Sequence, residues 1–238
     1  MSGIVFIISA PSGSGKSSLT NELRKIVPGL EFSISYTTRD PRGSEQTGRE
    51  YFFVPRAKFD EMIAADEFLE HAQVFGKCYG TAKRFVKEAL QRGHDLVLDI
   101  DVQGAAQLKA KIPDAVSVFI LPPSRKELQT RLERRNLSDN VAPAIIERRL
   151  KEASREIENF RDYDYILVND NFETAVEQLR AIVLAERIRR RGSPHSDEDR
   201  AILKAAECCI RQKAMQRVES ILDSFRDFTN SSREGATL

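Results

Sequence analysis

The chain has 238 residues, and its 37 basic and 36 acidic residues leave a formal charge of +1. A chain of this length can bury a sizeable core, and length alone predicts one globular unit or one unit with small inserted subdomains. The near-zero net charge gives no overall field that would attract nucleic acid or an anionic membrane. We therefore expect neither nucleic acid nor membrane as a partner, and any anion site must be local.

The three cysteines are Cys78, Cys208 and Cys209. Their number is odd, and they show neither a CxxC pair nor a histidine partner at zinc spacing, so the spacing predicts neither a disulfide framework nor a metal site. This usage is typical of a reducing compartment, and the expected location is the cytoplasm.

Four apolar runs have the length of a strand, and helical periodicity separates them. The first run, residues 4–8, has no basic residues before it and predicts a buried strand instead of a signal sequence. The other runs are residues 96–100, 116–121 and 165–168. Helices are predicted at residues 19–27, 81–91, 125–135 and 172–189. This alternation predicts a three-layer α/β fold around a mostly parallel sheet with right-handed crossovers.

Two insertions and a tail complete the predicted organisation. Short alternating pieces between prolines and glycines predict a small antiparallel subdomain at residues 35–81. A polar stretch between arginine-rich helices predicts a lid at residues 136–149. The predicted domain is residues 1–190, with a core of residues 3–34, 82–135 and 150–190.

Residues 191–238 are predicted to form a C-terminal helical extension, one long helix with a disordered tail from residue 231. Its apolar stripe fits packing on the core, a dimer contact or a bound partner. The stripe comprises Ile202, Ala206, Cys209, Val218, Leu222 and Phe225.

A glycine-rich loop follows the first predicted strand and precedes the first predicted helix. It matches the pattern GxxxxGK[ST], except that alanine takes the first position. Backbone N–H groups of such a loop turn around a phosphate, the lysine adds a charge, and the last hydroxyl can ligate Mg²⁺. The predicted nucleotide-phosphate site comprises Ala10, Pro11, Ser12, Gly13, Ser14, Gly15, Lys16 and Ser17.

Two aspartates end the apolar strand at residues 96–100. Asp99 and Asp101 resemble the Walker B arrangement, in which a carboxylate at a strand end holds the magnesium shell. We predict that Ser17 and Asp99 hold Mg²⁺, directly or through water, and that the other carboxylate serves the acceptor. Acidic residues that only begin a turn are the alternative.

Five segments together resemble the acceptor-binding region of the guanylate kinase family. They are SYTTRDPR (residues 35–42), GREYFF (48–53), FLE (68–70), GKCYGT (76–81) and DIDVQG (99–104). The resemblance runs from about residue 3 to about residue 190, and its several parts are more specific than the phosphate loop alone. It implies ATP-dependent phosphorylation of GMP, and of dGMP, in purine nucleotide metabolism and GMP recycling, with Mg²⁺ as cofactor.

The resemblance also implies roles for particular residues. Arg39 and Arg42 would bind the GMP phosphate together with the hydroxyls of Tyr51 and Tyr79. The guanine edge would be read by Ser35, Glu70, Thr81 and Asp101. Guanine carries two adjacent donors beside an acceptor, so a buried carboxylate such as Glu70 can pair with both donors, while adenine offers no such pair.

Five arginines bracket the predicted lid: Arg131, Arg134, Arg135, Arg148 and Arg149. In the family two lid arginines close over the transferred phosphate, and the resemblance favours Arg135 and Arg149 for this role. With Lys16 and Arg39 they make the predicted catalytic set. The alternative for each arginine is a surface ion pair on its helix.

Asn169 follows the last predicted strand, where ligands gather in open α/β sheets, and is assigned to the ATP site. The alternative is a plain turn or helix cap. Two other functions stay open at this point. One is a protein-binding module that keeps the fold without catalysis, and the other is a P-loop kinase for another nucleoside monophosphate such as AMP or UMP.

Overall fold

The computed structural model describes residues 3–139, 143–192 and 194–234. In these ranges the strands are β1 (Val5–Ser9), β2 (Leu30–Phe32), β3 (Tyr36–Thr37), β4 (Phe52–Phe53), β5 (Phe68–Val74), β6 (Lys77–Ala82), β7 (Asp95–Asp99), β8 (Val116–Leu121) and β9 (Tyr165–Val168). The helices are α1 (Lys16–Ile26), α2 (Arg56–Ala64), α3 (Lys83–Gln91), α4 (Val102–Lys111), α5 (Arg125–Asp139), α6 (Pro143–Glu156), α7 (Phe172–Arg191), α8 (Asp197–Glu207) and α9 (Arg211–Glu234). A 3₁₀ helix spans Ile157–Asp162.

Within the described ranges, five strands form a sheet in the order β2-β7-β1-β8-β9. The pairs β1–β7, β2–β7 and β8–β9 are all parallel. Every residue of β1 and of β8 is buried, as continuous apolar runs require when helices cover both faces. The α/β fold predicted from the four apolar runs is confirmed.

The chain divides into two compact units. The first contains the residues up to Ile8 and Val27–Val116, and the second contains Ser9–Ile26 and the described residues from Ser117 onward. The phosphate loop therefore belongs to the second unit, and the 35–81 insertion belongs to the first. The predicted boundary near residue 190 stays a prediction, since the second unit includes the C-terminal helices.

The insertion in the first unit contains a second sheet, in the order β4-β3-β6-β5. The predicted antiparallel pairing is confirmed for β3–β6 and β5–β6, but it is wrong for β3–β4, which are parallel. The long connection 38–51 lets the chain re-enter the sheet in the same direction. Backbone bonds from Phe52 N to Ser35 O (2.9 Å) and from Val54 N to Thr37 O (3.0 Å) fix this short pair.

Some boundaries in the first unit differ from the sequence prediction. Thr81 belongs to strand β6, where it pairs with Glu70 of β5, and helix α3 starts only at Lys83. The short elements β2, α2 and α4 were not predicted. Helix α4 is poor in large apolar residues, and it begins because Asp101 caps it by accepting a hydrogen bond from Gly104 N (2.7 Å).

Helix α5 extends through Asp139, so the stretch between the two predicted helices is itself helical at residues 136–139, and the assignment of residues 136–149 as a lid stays a prediction. Those residues include neither glycine nor proline, and nothing in them interrupts the helical hydrogen bonds. Helix α6 begins at Pro143, whose missing N–H suits the first helical position. Residues 140–142 lie outside the described part of the chain.

The C-terminal segment forms two helices, so the prediction of one long helix is wrong. The turn between α8 and α9 bonds to strand β9, because Ile166 N donates to Cys209 O (2.7 Å) and Ile210 forms an antiparallel bridge with Tyr165. This pairing interrupts the helix. Helix α9 continues to Glu234, so the prediction of a disordered tail is wrong for residues 231–234, and residues 235–238 lie outside the described residues.

The apolar stripe of the extension packs within the second unit. Its buried members are Ala206, Cys209, Val218, Leu222 and Phe225. A hydrogen bond from Arg125 N to Ser224 Oγ (3.1 Å) adds a polar contact between the start of α5 and α9. Packing on the core, the first of the three predicted uses of this stripe, is therefore observed. None of the helices in the described ranges has both the length and the apolar character that a membrane span needs.

Candidate active site

The phosphate loop of the second unit lies between β1 and α1, as predicted. Ser14 N donates to Pro11 O (3.1 Å), and Leu19 N donates to Gly15 O (3.1 Å) at the start of the helix. Gly15 has a φ of +92°, which side-chain-bearing residues rarely adopt. The first N–H groups of an eleven-residue helix lack helical partners, and together with this loop they suit the binding of an anion such as phosphate.

Two residues outside the loop hold it in place. Asn169, only 5% exposed, donates from Nδ2 to Ser14 O (2.8 Å), and Arg131 Nη2 donates to Asn169 O (2.9 Å). A Cβ on Gly15 would lie less than 3.0 Å from the Asn169 amide nitrogen, so the close approach also requires glycine. The amide of Asn169 therefore positions the loop.

The hydrogen bond to Ser14 shows that Asn169 lies beside the loop, and the assignment of Asn169 to the ATP site stays a prediction. The sequence predicts Arg131 as a lid arginine or as a member of an ion pair on its helix, and in the structure Arg131 Nε donates to Glu127 Oε1 (2.9 Å) one helical turn away. The i,i+4 spacing of these two residues was visible in the sequence, but nothing in the sequence linked Arg131 to Asn169.

The loop also presents hydroxyl groups. The buried Ser14 Oγ has no hydrogen-bond partner among the described residues, and Ser17 is exposed at the second position of α1. An orphaned buried hydroxyl is unfavourable unless a ligand or water satisfies it, which fits a loop built to receive a polar group. Lys16, the first residue of α1, is half-buried.

In the first unit, a carboxylate is buried where strands β5 and β6 meet helix α4. Glu70 is 3% exposed, and its Oε1 accepts a hydrogen bond from Thr81 Oγ1 (2.5 Å). A Cβ on Gly104 would lie less than 3.0 Å from Glu70 Oε2 and 3.2 Å from Asp101 Oδ1. The structure thus brings together Glu70, Thr81 and Asp101, three of the four residues predicted to read a guanine.

Burial raises the pKa of Glu70 to about 7, the hydrogen bond from Thr81 lowers it in part, and the negative charge of Asp101 raises it further. A carboxyl group with this pKa can lose its proton near neutral pH. The resulting carboxylate can then accept hydrogen bonds from the donors of a ligand. Ser35, the fourth predicted reader, is buried on the neighbouring chain segment before β3.

A second charged group of the first unit is the guanidinium of Arg39. It forms a bidentate ion pair with Glu45, with Nη1–Oε2 at 2.8 Å and Nη2–Oε1 at 3.0 Å, and its side chain is only 10% exposed. Arg42 N also donates to Glu45 Oε2 (2.8 Å). Burial opposes ionisation of Glu45, but the bonds from Arg39 and from the Arg42 backbone outweigh it and lower its pKa.

Aromatic rings surround this ion pair. The Arg39 guanidinium carbon lies 5.3 Å from the Tyr51 ring centre and 5.5 Å from that of Phe53, within the range of cation–π attraction. Tyr51 and Tyr79 meet edge to face at 5.9 Å. Burial raises the pKa of Tyr51, and the charge of Asp99 raises it further, so its hydroxyl stays protonated as a donor.

Glu45 is the residue of this cluster that the sequence analysis missed. Its position three residues after Arg42 in a turn was a usable signal, since a carboxylate between nearby arginines commonly pairs with one of them. The Arg42 side chain itself is exposed.

Three further residues of the predicted site are Asp99, Arg149 and Arg135. Asp99 is half-buried at the end of β7, and Arg149 is half-buried in α6, while the side chain of Arg135 lies outside the described part of the chain. Among the described residues, no group of three or more histidine, cysteine or acidic side chains is arranged to hold a metal.

The class of α/β P-loop nucleotide-binding proteins is defined by a parallel sheet in which one strand is followed by a glycine-rich loop and then by a helix. This chain has that arrangement. Comparisons with known proteins narrow this class. Residues 3–186 match the family model described as guanylate kinase. A protein named guanylate kinase from Koribacter versatilis (strain Ellin345) is 80% identical over 97% of this chain and 99% of its own length. The protein of that name from Escherichia coli (strain K12) is 47% identical over 79% of this chain and 90% of its own length.

A crystal structure of guanylate kinase from Anaplasma phagocytophilum superimposes with a TM-score of 0.66 and 32% identity, covering 79% of this chain and 87% of that one. The chain belongs to the guanylate kinase family. The Koribacter protein also matches most of the C-terminal extension, whereas the family model ends at residue 186.

The raised pKa of Glu70 leads to a prediction about stability. Between about pH 4.5 and 7 the folded chain keeps a proton that the unfolded chain has lost, so stability falls as pH rises through this window and the loss is complete above it. Replacing Glu70 by Gln removes the buried charge. We expect Glu70→Gln to raise the free energy of unfolding by about 2–3 kcal/mol near pH 8 and by less than about 1 kcal/mol near pH 5, measured by urea denaturation.

The matched control is Glu67→Gln, because Glu67 is an exposed glutamate of the same insertion. It should change stability by less than about 0.5 kcal/mol at either pH. Equal effects of Glu70→Gln at the two pH values would show that Glu70 is not held protonated by its surroundings.

Proposed function

We propose that this chain is an ATP-dependent guanylate kinase that transfers the terminal phosphoryl group of ATP to GMP, and also to dGMP, in purine nucleotide metabolism. Membership of the family supports the reaction. The observation that carries the choice of acceptor is the buried carboxylate of Glu70 beside Thr81 and Asp101.

This carboxylate selects guanine because of the donors on that base. Guanine N1–H and its amino group can both donate to one carboxylate, whereas adenine would leave the buried Glu70 oxygens unpaired. A site built around such a pairing rejects bases that lack the donors by about 10⁴ or more. Ser35 is proposed to complete the guanine contacts.

The GMP phosphate is proposed to bind Arg39 and Arg42, with the hydroxyls of Tyr51 and Tyr79. The ion pair between Arg39 and Glu45 supports this assignment, because it shows that the guanidinium accepts a planar, bidentate anion. Two oxygens of a tetrahedral phosphate can accept the same pair of N–H bonds. In the free chain Glu45 is paired with the Arg39 guanidinium. We propose that the GMP phosphate replaces Glu45 as the partner of Arg39.

The ATP phosphates are proposed to bind residues 10–17. The loop N–H groups and Lys16 would hold the tail, Ser17 and Asp99 would hold Mg²⁺ directly or through water, and Asn169 would lie near the adenine while its amide orders the loop. Bound magnesium neutralises charge on the donor's phosphates. Lys16, Arg39, Arg135 and Arg149 are proposed to stabilise the charge that spreads over the transferred group, which is the main task of a protein in this reaction.

We also propose that the enzyme acts in the cytoplasm. The three cysteines are free thiols, as expected in a reducing compartment.

The first test is a panel of acceptors with MgATP in a coupled assay. We expect turnover with GMP and dGMP, and kcat/KM values for AMP and UMP lower by about 10⁴. Glu70→Ala should remove most of this preference, because the remaining site has no acceptor for the two guanine donors. GMP binding without turnover would instead indicate a non-catalytic module, and a preference for AMP or UMP would indicate a different kinase.

The second test concerns pH. Since Glu70 has a pKa of about 7 and must be ionised to pair with guanine, the KM for GMP should fall by about tenfold between about pH 6 and 8 and then level off. Initial rates at saturating MgATP measure this. In Glu70→Gln only the substrate's own phosphate, with a pKa of about 6, should still titrate. The same profile in both proteins would exclude Glu70 as the titrating group.

The third test concerns the arginines. Arg149→Ala should lower kcat by about 10³, since an arginine that neutralises the transferred phosphate contributes about this factor or more in related reactions. Its thermal unfolding midpoint should change little. Arg148→Ala, which removes the exposed neighbouring arginine, is the matched control and should keep kcat within about threefold. A near-normal kcat for Arg149→Ala would remove Arg149 from the catalytic set.

A further inference from the structure

Two adjacent cysteines lie in the turn between helices α8 and α9. Cys208 is exposed, whereas Cys209 is 2% exposed and directed into the second unit. This turn lies beyond residues 3–186, which match the family model, and the proposed kinase reaction gives neither thiol a role. The pair is therefore a feature of this chain that needs its own explanation.

The two sulfur atoms face each other. Cys208 Sγ and Cys209 Sγ are 3.7 Å apart, although neighbouring side chains often point in different directions. Cys208 Sγ also lies 3.3 Å from Ala205 O and 3.7 Å from Gln178 Nε2. The sequence spacing, with no CxxC pair, gave no reason to expect this arrangement, since it depends on the conformation of the turn.

Backbone hydrogen bonds fix that conformation. Ile166 N donates to Cys209 O (2.7 Å), Arg211 N donates to Asp164 O (3.1 Å), and Ile210 forms a bridge with Tyr165. Cys209 N donates to Ala206 O (3.1 Å) at the end of α8. The turn is therefore held on both sides of the two cysteines, and the thiols are placed together before any ligand arrives.

The separation of the two sulfurs matches the need of a particular class of cation. Two thiolates bound to a tetrahedral d¹⁰ ion at about 2.3 Å lie about 3.8 Å apart. We propose that Cys208 and Cys209 form a two-thiolate binding site for a soft d¹⁰ cation such as Zn²⁺ or Cd²⁺. Thiolates are the ligands that such cations prefer.

The binding step is balanced by the loss of protons. Each S–H group gives its proton to solvent, and the two thiolates form two metal–sulfur bonds without oxidation or reduction. No cluster of three histidine, cysteine or acidic ligands is present among the described residues, so the other coordination positions fall to water or to the side chain of Gln178. A site with open positions suits a cation that arrives from solvent on the Cys208 side.

The test uses Cd²⁺ alone as the probe, added to the full-length chain after reduction and removal of the reductant. Ultraviolet charge-transfer absorption should report two cadmium–thiolate bonds at one ion per chain. Cys208→Ser and Cys209→Ala should each weaken Cd²⁺ binding by about 100-fold, because the second sulfur binds as if at a high local concentration. Cys78→Ser removes the third thiol, which lies in the other unit, and should leave the affinity unchanged.

A second measurement guards against misfolding of the variants. Amide exchange at Ile166, which donates to Cys209 O, should slow on adding Cd²⁺ to the wild-type chain and not to Cys208→Ser, whose altered residue is exposed. Equal Cd²⁺ affinity in wild type and Cys208→Ser would overturn the proposal. So would binding of one ion per two chains.

Discussion

The proposed acceptor site depends on one buried carboxylate. Glu70 sits among strands β5 and β6 and helix α4, where its charge is poorly solvated. Its neighbours are arranged to tolerate it: Thr81 donates to it, and the absence of a side chain on Gly104 leaves room for it. A fold that needed only stability would place an apolar or neutral residue there, and this supports the proposed role of Glu70 in binding a ligand.

The same reasoning applies to the ion pair of Arg39 and Glu45, in which the largely buried group is the cation of Arg39. A guanidinium that is 10% exposed needs an anion, and in the free chain Glu45 supplies one at 2.8 and 3.0 Å. A phosphate that replaces Glu45 exchanges one anion for another, so the net gain in binding is smaller than the ion pair alone suggests. The gain is specificity, because only a ligand with a correctly placed anion can compete with a bidentate carboxylate that is already in position.

Sequence patterns predicted those parts of the structure that depend on local chemistry. Continuous apolar runs located β1, β7, β8 and β9, and the glycine-rich loop was found where a strand meets a helix. The features that the sequence did not predict depend on contacts between distant residues. The parallel direction of β3–β4 and the break at Cys209 are set by hydrogen bonds to partners elsewhere in the chain, as is the role of Asn169 in holding Ser14. The approach of Glu70 to Asp101 gave no local signal, and only the family resemblance grouped these residues.

The C-terminal extension and the phosphate loop are connected through one short strand of the second unit. At the start of β9, Tyr165 and Ile166 bond to the turn of the extension, and just after its end Asn169 holds Ser14 of the loop. Residues 165–168 are all buried and paired with β8, so this strand has little freedom to absorb a displacement at either end. The extension is outside the region matched by the family model, but it packs on the strand that orders the loop. The buried stripe of the extension is explained by this packing, and the same strand links the extension to the residue that bonds to the loop.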